Sequence, residues 1–121
     1  MKFVFYISLI MVLLIFASAG AVIRPVPGEY PTIQAAINAS QNGDEVVIAD
    51  GVYTGFGNYN IGLSGKAITV RSESGDPNSC VIDIPGQHNG QLQRGFTLTS
   101  AEGRGSIIKD ISIINGVADA P

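Results

Sequence analysis

Residues 31–53 read PTIQAAINASQNGDEVVIADGVY and contain two kinds of apolar periodicity. Ile33, Ala36 and Ile37 recur at helical spacing, and they predict a short amphipathic helix with one apolar stripe. An Asn-Gly pair then provides the left-handed stop that commonly ends a helix. The run Glu45–Ala49 follows and predicts a strand. Because a helix of about ten residues is only marginally stable alone in water, we expect another part of the protein to cover this stripe.

The rest of the chain predicts further short strands, each followed by turn residues. Residues 24–30 contain two prolines and predict an extended lead-in without its own core. Residues 87–93 are polar and predict a flexible insertion. The predicted strands are Val52–Thr54, Ala67–Ser72, Cys80–Ile84, Phe96–Thr99 and Ile107–Ile114.

The apolar positions also recur on a long period. Ile48 and Val70 are about 22 residues apart, and the interval from Val70 to Ile113 is close to twice that, with Phe96 or Leu98 between. Short strands at such a period favour a solenoid. A β-sandwich is the competing all-β interpretation, because it too contains short alternating strands. The long period and a helix suited to capping the first coil favour the solenoid.

Composition limits the classes of function. The chain has 121 residues, a formal net charge of −3, 14% charged residues and 15 glycines. The absence of a basic patch argues against a nucleic-acid partner. Few charges and many glycines suit short strands with tight turns better than a helical bundle. After removal of a leader, roughly 100 residues remain, which is enough for one small domain.

The N-terminus has the pattern of a secretory signal peptide over residues 1–21. Lys2 precedes an apolar run, and small residues follow it, so that cleavage is expected after Ala19 or Ala21. The alternative is an uncleaved membrane anchor, but the apolar run is shorter than the ~20 residues that a spanning helix needs. The expected location is therefore extracellular or at the cell surface, without a stable membrane span after cleavage.

Three segments carry a family resemblance. PTIQAAINASQNGDEVVIADGVYTG, GKAITVRSESGDPNSCVIDIPG and RGFTLTSAEGRGSIIKDISIINGVAD together resemble the N-terminal cap and first coils of secreted right-handed parallel β-helix proteins, the pectate-lyase-like superfamily. The resemblance implies a prism of three parallel sheets around stacked aliphatic side chains. The expected organisation is a lead-in at 22–30, a capping helix at 31–43 and about three to four coils at 44–121.

The same resemblance implies an incomplete solenoid, because active members of the superfamily carry their catalytic groups on later coils. We expect the chain to be a fragment, to come from a truncated reading frame, or to self-associate through an open C-terminal coil. Asn115 precedes Gly116 and is a candidate for a polar ladder at the turns, with an ordinary Asn-Gly turn as the equal alternative.

Candidate catalytic groups are few. Lyases and hydrolases of this superfamily need a carboxylate cluster that binds Ca²⁺ near a base, or paired aspartates. Asp83, Asp110 and Arg71 are weak candidates, with Arg94 and Lys109 as further cations. Outward projection from a strand is also what a solvated face looks like, so no catalytic residue is assigned. Ca²⁺ is implied only by the resemblance, and no cofactor is evident from the residues.

Other side chains permit two interpretations each. Tyr53, Phe56 and Tyr59 cluster around a loop; they either stack on a sugar ring or, more simply, cover the helix and the first coil. Cys80 is the only cysteine and fits a buried strand position better than a reactive thiol. His88, the only histidine, lies in a Gly-rich stretch without a catalytic partner in sequence.

Three functions are compatible with these patterns. The leading hypothesis is a non-catalytic N-terminal part of an exported β-helix protein that binds polysaccharide or another surface ligand. The second is a pectate-lyase-like polysaccharide lyase or hydrolase, and the third is an adhesin or cell-surface structural module.

Overall fold

A computed structural model describes residues 20–100 and 102–117. Ala19 and most of the expected signal peptide lie outside these residues, and Ala21 is exposed. Strands dominate the described chain, which confirms the all-β class. The elements in chain order are β1 (Ile23–Val26), α1 (Ile33–Ala39), β2 (Glu45–Ile48), β3 (Gly51–Tyr53), β4 (Ile61–Gly62), β5 (Thr69–Ser72), β6 (Cys80–Asp83), β7 (Gln87–His88), β8 (Gln91–Leu92), β9 (Phe96–Thr97), β10 (Ile107–Lys109) and β11 (Ser112–Ile114).

The strands form three small parallel sheets. Sheet A has the order β1-β2-β5-β10, sheet B has the order β11-β6-β3, and sheet C pairs β4 with β9. From β2 onward the chain passes through A, B and C, and then returns to A in the same order. The hairpin β7–β8 is the antiparallel exception. Parallel pairing excludes the competing β-sandwich, whose sheets are antiparallel.

The register of the strands places apolar residues beside one another in the core. In sheet A, Val46 pairs with Val70, and Val70 pairs with Ile108. In sheet B, Tyr53 pairs with Ile82. Val46, Val70 and Ile82 are fully buried, so aliphatic rows fill the space between the sheets and burial of this apolar surface stabilises the stack.

Helix α1 confirms the predicted stripe. Ile33, Ala36 and Ile37 are each 0% exposed, and the helix packs against β1, β2 and β4. Thr32 is the N-cap, and its hydroxyl accepts a hydrogen bond from the Ala35 amide at 3.2 Å. The helix is shorter than the expected 31–43, because Ser40 is already extended and its N–H bonds back to the Ile37 carbonyl.

The expectation of a coreless lead-in at 22–30 is wrong. β1 pairs in parallel with β2 along its whole length, and Val26 is 1% exposed. Proline at position 25 does not prevent pairing, because β1 is an edge strand of sheet A and an edge residue needs only one set of ladder bonds. The first layer beside α1 is therefore β1, which precedes the helix in the chain.

The regular period expected from Ile48, Val70 and Ile113 is also wrong. Val70 pairs with Val46 and Ile108 in sheet A, whereas Ile113 pairs in sheet B. The interval from Val70 to Ile108 is far longer than that from Val46 to Val70, because it contains the β7–β8 hairpin and its flanking loops. The spacing of apolar residues along the sequence therefore combined positions that belong to different sheets.

Two local expectations change as well. Residues 87–93, expected to be a flexible insertion, form an antiparallel hairpin in which Gln87 pairs with Leu92. The single strand expected at Ile107–Ile114 is two strands, because Asp110 has a φ of 59° and this left-handed residue turns the chain from sheet A to sheet B. Within the described residues, no helix has the length and apolar character needed to cross a membrane.

Candidate functional site

The loop between β3 and β4 is held in place by the start of α1. The Ile33 amide donates to Asn58 Oδ1 at 3.0 Å, and the Gln34 amide donates to the Gly57 carbonyl at 2.9 Å. Asn58 is buried, and its Nδ2 donates to the Thr54 carbonyl at 2.8 Å. These bonds satisfy amides that a helix leaves unpaired at its N-terminus, and they fix the loop that carries Phe56.

The three aromatic side chains at this loop have different environments. Tyr53 and Tyr59 are 8% and 7% exposed, whereas Phe56 is 75% exposed. The Tyr53 hydroxyl donates to the Ala49 carbonyl at 2.6 Å, and burial raises the pKa of that hydroxyl. Tyr53 and Tyr59 thus cover the core, as the simpler interpretation of the aromatic cluster predicts. Phe56 does not, so its position needs another explanation.

Phe56 stands at the side of an open groove of about 330 Å³. Its ring centroid lies 5.6 Å from that of Tyr59 and 5.4 Å from that of His88, which meets it edge to face. The edge-to-face contact with His88 is a favourable arrangement of two aromatic rings. The groove is lined by Thr54, Gly55, Phe56, Tyr59, Asp83, Ile84, Pro85 and His88.

Asp83 lines the same groove. Its Oδ1 accepts a hydrogen bond from Asn115 Nδ2 at 2.7 Å, while Oδ2 receives none from the rest of the chain between residues 20–100 and 102–117. Asn115 has a φ of 59°, so it forms a left-handed turn and also bonds across to the neighbouring strand. The contact is an Asn-to-Asp bond, and it orients the carboxylate while leaving one oxygen available.

The other catalytic candidates lie elsewhere. Asp110 is the left-handed residue between β10 and β11 and lies on neither strand. Arg71 is on β5 in sheet A, where its Nε donates to Glu45 Oε2 at 3.0 Å. No hydrogen bond or ion pair joins Asp83, Asp110 and Arg71 to one another in the described segments.

The remaining cations do not line the groove either. Lys109 is in register with Arg71 in sheet A. Arg94 follows the β7–β8 hairpin, and its backbone amide donates to Asn60 Oδ1 at 2.8 Å. The groove lining thus contains one carboxylate and one imidazole, without lysine or arginine.

Cys80 has the environment expected of a structural residue. It is 0% exposed, and burial raises the pKa of its thiol to about 11. The thiolate is the nucleophilic form, so this thiol is chemically inert near neutral pH.

His88 is the groove residue that sequence reasoning missed. The polar, Gly-rich composition around it predicts a loop, but the pairing of His88 with Gln91 in the hairpin brings the imidazole to Phe56. The turn residues Asn89 and Gly90, both with positive φ, were the available signal, since an Asn-Gly pair between short polar runs is typical of a hairpin.

Across residues 20–100 and 102–117, no group of three or more His, Cys, Asp or Glu is arranged to hold a metal ion. A Ca²⁺ site therefore stays an implication of the family resemblance alone.

A scan against protein-family models and searches of curated proteins and of solved structures found no match to this chain.

Proposed function

We propose that this chain is part of an exported, right-handed parallel β-helix protein and that it binds carbohydrate, without catalysis, in the groove beside Phe56. The observation that carries the binding proposal is the pairing of a 75% exposed phenylalanine with an oriented carboxylate in one groove.

The repeated order of the sheets supports the β-helix part of the proposal. Strands β2, β3 and β4 lie in sheets A, B and C, and β5, β6 and β9 follow in the same order. Returning to a parallel strand by this route is right-handed in nearly all proteins. Helix α1 covers one end of the aliphatic rows, as a terminal cap does in a solenoid. The leader sequence at residues 1–21 supports export.

The chemistry of the groove supports a sugar as the ligand. A pyranose ring has an apolar face of C–H groups that packs on an aromatic ring, and hydroxyl groups at its edge that hydrogen-bond to carboxylates. Phe56 offers the exposed ring, and Asp83 Oδ2 offers an acceptor. The volume of about 330 Å³ is at the lower end for a small-molecule site, and the groove is open, so a chain can extend beyond it.

A lyase or hydrolase is less well supported by the same groups. Glycoside hydrolysis uses two carboxylates that flank the bond, and a lyase of the superfamily needs a cluster of carboxylates that binds Ca²⁺ near a base. Asp83 is the one carboxylate in the groove lining. The adhesin alternative makes the same binding prediction and differs in what the rest of the protein does.

The test is binding of soluble polysaccharides and oligosaccharides to the full chain, measured by isothermal titration calorimetry. We expect Phe56→Ala to weaken binding by roughly tenfold, because the stacking contribution of an aromatic ring is about 0.5–1.5 kcal/mol beyond its area burial.

Leu98→Ala is the matched control, since Leu98 is also exposed, at 53%, and lies outside the groove lining. Equal loss of affinity in both variants, or no binding by the wild type, would sink the proposal. Release of new reducing ends or unsaturated products from a bound polysaccharide would establish the enzyme alternative instead.

A further inference from the structure

The charge of the groove restricts the kind of sugar that it accepts. Its eight lining residues include Asp83 and His88 but no lysine or arginine. Sites that recognise carboxylates or phosphates ordinarily use arginine or lysine, because these side chains pair with the anion and compensate for its desolvation. The groove offers the reverse, an anion with an available oxygen.

We infer that the groove binds pyranose chains without acidic groups and discriminates against polyuronates. This inference rests on the proposed function, since it names the class of sugar that binds beside Phe56. It also differs from what the family resemblance implies, because the substrates of pectate lyases are acidic polysaccharides.

The discrimination against uronates comes from the charge of Asp83 within the groove. Asn115 Nδ2 bonds to Oδ1 at 2.7 Å and fixes the carboxylate beside Ile84 and Pro85, which line the same groove. An apolar wall lowers the local dielectric response, so a second carboxylate brought near Oδ2 is repelled more strongly than in bulk water. The partly exposed position of Asp83 keeps the effect modest.

The whole molecule adds to this repulsion. The formal net charge is −3, with 10 acidic and 7 basic residues, so a polyanionic chain approaches a surface of its own sign. Arg71 does not reverse this locally, because its guanidinium is paired with Glu45 in sheet A.

The experiment compares three oligosaccharides of equal length by calorimetry: a neutral hexose oligomer, its uronate counterpart and an amine-bearing counterpart. For the full chain, we expect the neutral and amine oligomers to bind roughly fivefold or more tightly than the uronate oligomer. Asp83→Asn keeps an acceptor for Asn115 and removes the local charge, so in this variant the preference for the neutral over the uronate oligomer should fall to the part that comes from the net charge of the molecule.

His88→Gln tests whether the imidazole, and not the carboxylate of Asp83, causes the discrimination. We expect this variant to keep the preference against the uronate oligomer. Tighter binding of the uronate oligomer that falls with Phe56→Ala would overturn the inference but support the proposed function. The same preference in Asp83→Asn as in the wild type would also overturn it. Failure of all three oligomers to bind would overturn the inference and the proposed function together.

Discussion

Aliphatic side chains are buried to different extents at the two ends of the sheets. Ile82 and Ile113 are in register on neighbouring strands of sheet B, yet Ile82 is 0% exposed and Ile113 is 45% exposed. At the opposite end, Ile33 and Ile37 of α1 are completely buried. The same residue type therefore contributes differently to stability according to the layer that covers it.

Polar contacts fasten α1 to the sheets beneath it. The Gln34 side-chain amide donates to the Gly62 carbonyl at 3.0 Å and accepts from the Gly62 amide at 2.9 Å. Gly62 is on β4, an edge strand of sheet C, so the side chain makes the bonds that a neighbouring strand would make. Lys66 Nζ donates to the Ile37 carbonyl at 2.7 Å and satisfies the C-terminal end of the helix.

The largest expected effect is loss of the apolar contact between α1 and the core. Ile37→Ala should lower the free energy of unfolding by about 2–5 kcal/mol, the range for truncating a buried isoleucine. Ile113→Ala removes the same atoms from a position that is 45% exposed, and it should cost about 1 kcal/mol or less. Urea unfolding of the full chain, followed by circular dichroism, measures both.

Replacing Ile33 and Ile37 together with aspartate should prevent folding, since each position is 0% exposed and an unpaired buried charge costs several kcal/mol.

Similar destabilisation by Ile37→Ala and Ile113→Ala would contradict the difference between the two ends. Exposure of Ile107, Ile113 and Val117 is consistent with the expected self-association at that end, which stays a prediction.

A smaller effect is expected at the polar contact between α1 and sheet C. Gln34→Ala removes two hydrogen bonds to Gly62 and leaves the backbone groups of an edge strand without their partner, at a cost of about 1–2 kcal/mol. Asn38→Ala is the matched control on the same helix, because Asn38 is exposed and, among the described residues, its side chain hydrogen-bonds only to Gln34, at 3.0 Å. If the two variants unfold at the same urea concentration, Gln34 does not secure the edge of the sheet.

Local patterns along the sequence predicted elements better than long-range ones. The stripe of Ile33, Ala36 and Ile37 depends on residues about one helical turn apart, and all three side chains are buried. The two strands within Ile107–Ile114 are predicted as one, because isoleucines lie on both sides of Lys109 and Asp110, while the left-handed turn at Asp110 depends on how the chain moves from one sheet to the next.

The groove was less predictable than the fold for the same reason. Phe56 and Asp83 were identified as candidates separately, but the register of sheet B and the β7–β8 hairpin bring Asp83 and His88 to the same groove. The sequence does not show that these residues are close in space, since they are far apart along the chain and lie on different strands or loops. Asn115 was considered for a ladder, and its actual partner, Asp83, follows from strand pairing.

At the end covered by α1, the Asp44 carboxylate joins two segments of the chain. Asp44 is 5% exposed and accepts from the amides of Gln41 and Val22 at 2.9 and 3.1 Å. It also pairs with Arg24 Nη2 at 3.0 Å. These contacts, the Gln41 amide first, lower the pKa of Asp44. They join β1 to the segment between α1 and β2, so the charge of Asp44 stabilises the covered end.

Because the pKa of Asp44 is lower in the folded state, the ionised carboxylate favours folding. Its contribution is present above the ordinary aspartate value of about 3.9 and is lost as the pH falls through the lower folded-state value. The wild type should therefore melt at a higher temperature than Asp44→Asn between about pH 5 and pH 7. This difference in melting temperature should shrink below about pH 4.

Asp76 provides the comparison, because bonds from Asn78 and Ser79 lower the pKa of its carboxyl too. Those bonds stay within one exposed turn, whereas Asp44 joins segments that are distant in sequence. Asp76→Asn should thus change the melting temperature in the same direction and over the same pH range, but by less. A larger acid-dependent change for Asp76→Asn would mean that turn geometry matters more than the connection between β1 and the helix, and that the covered end is not held by Asp44.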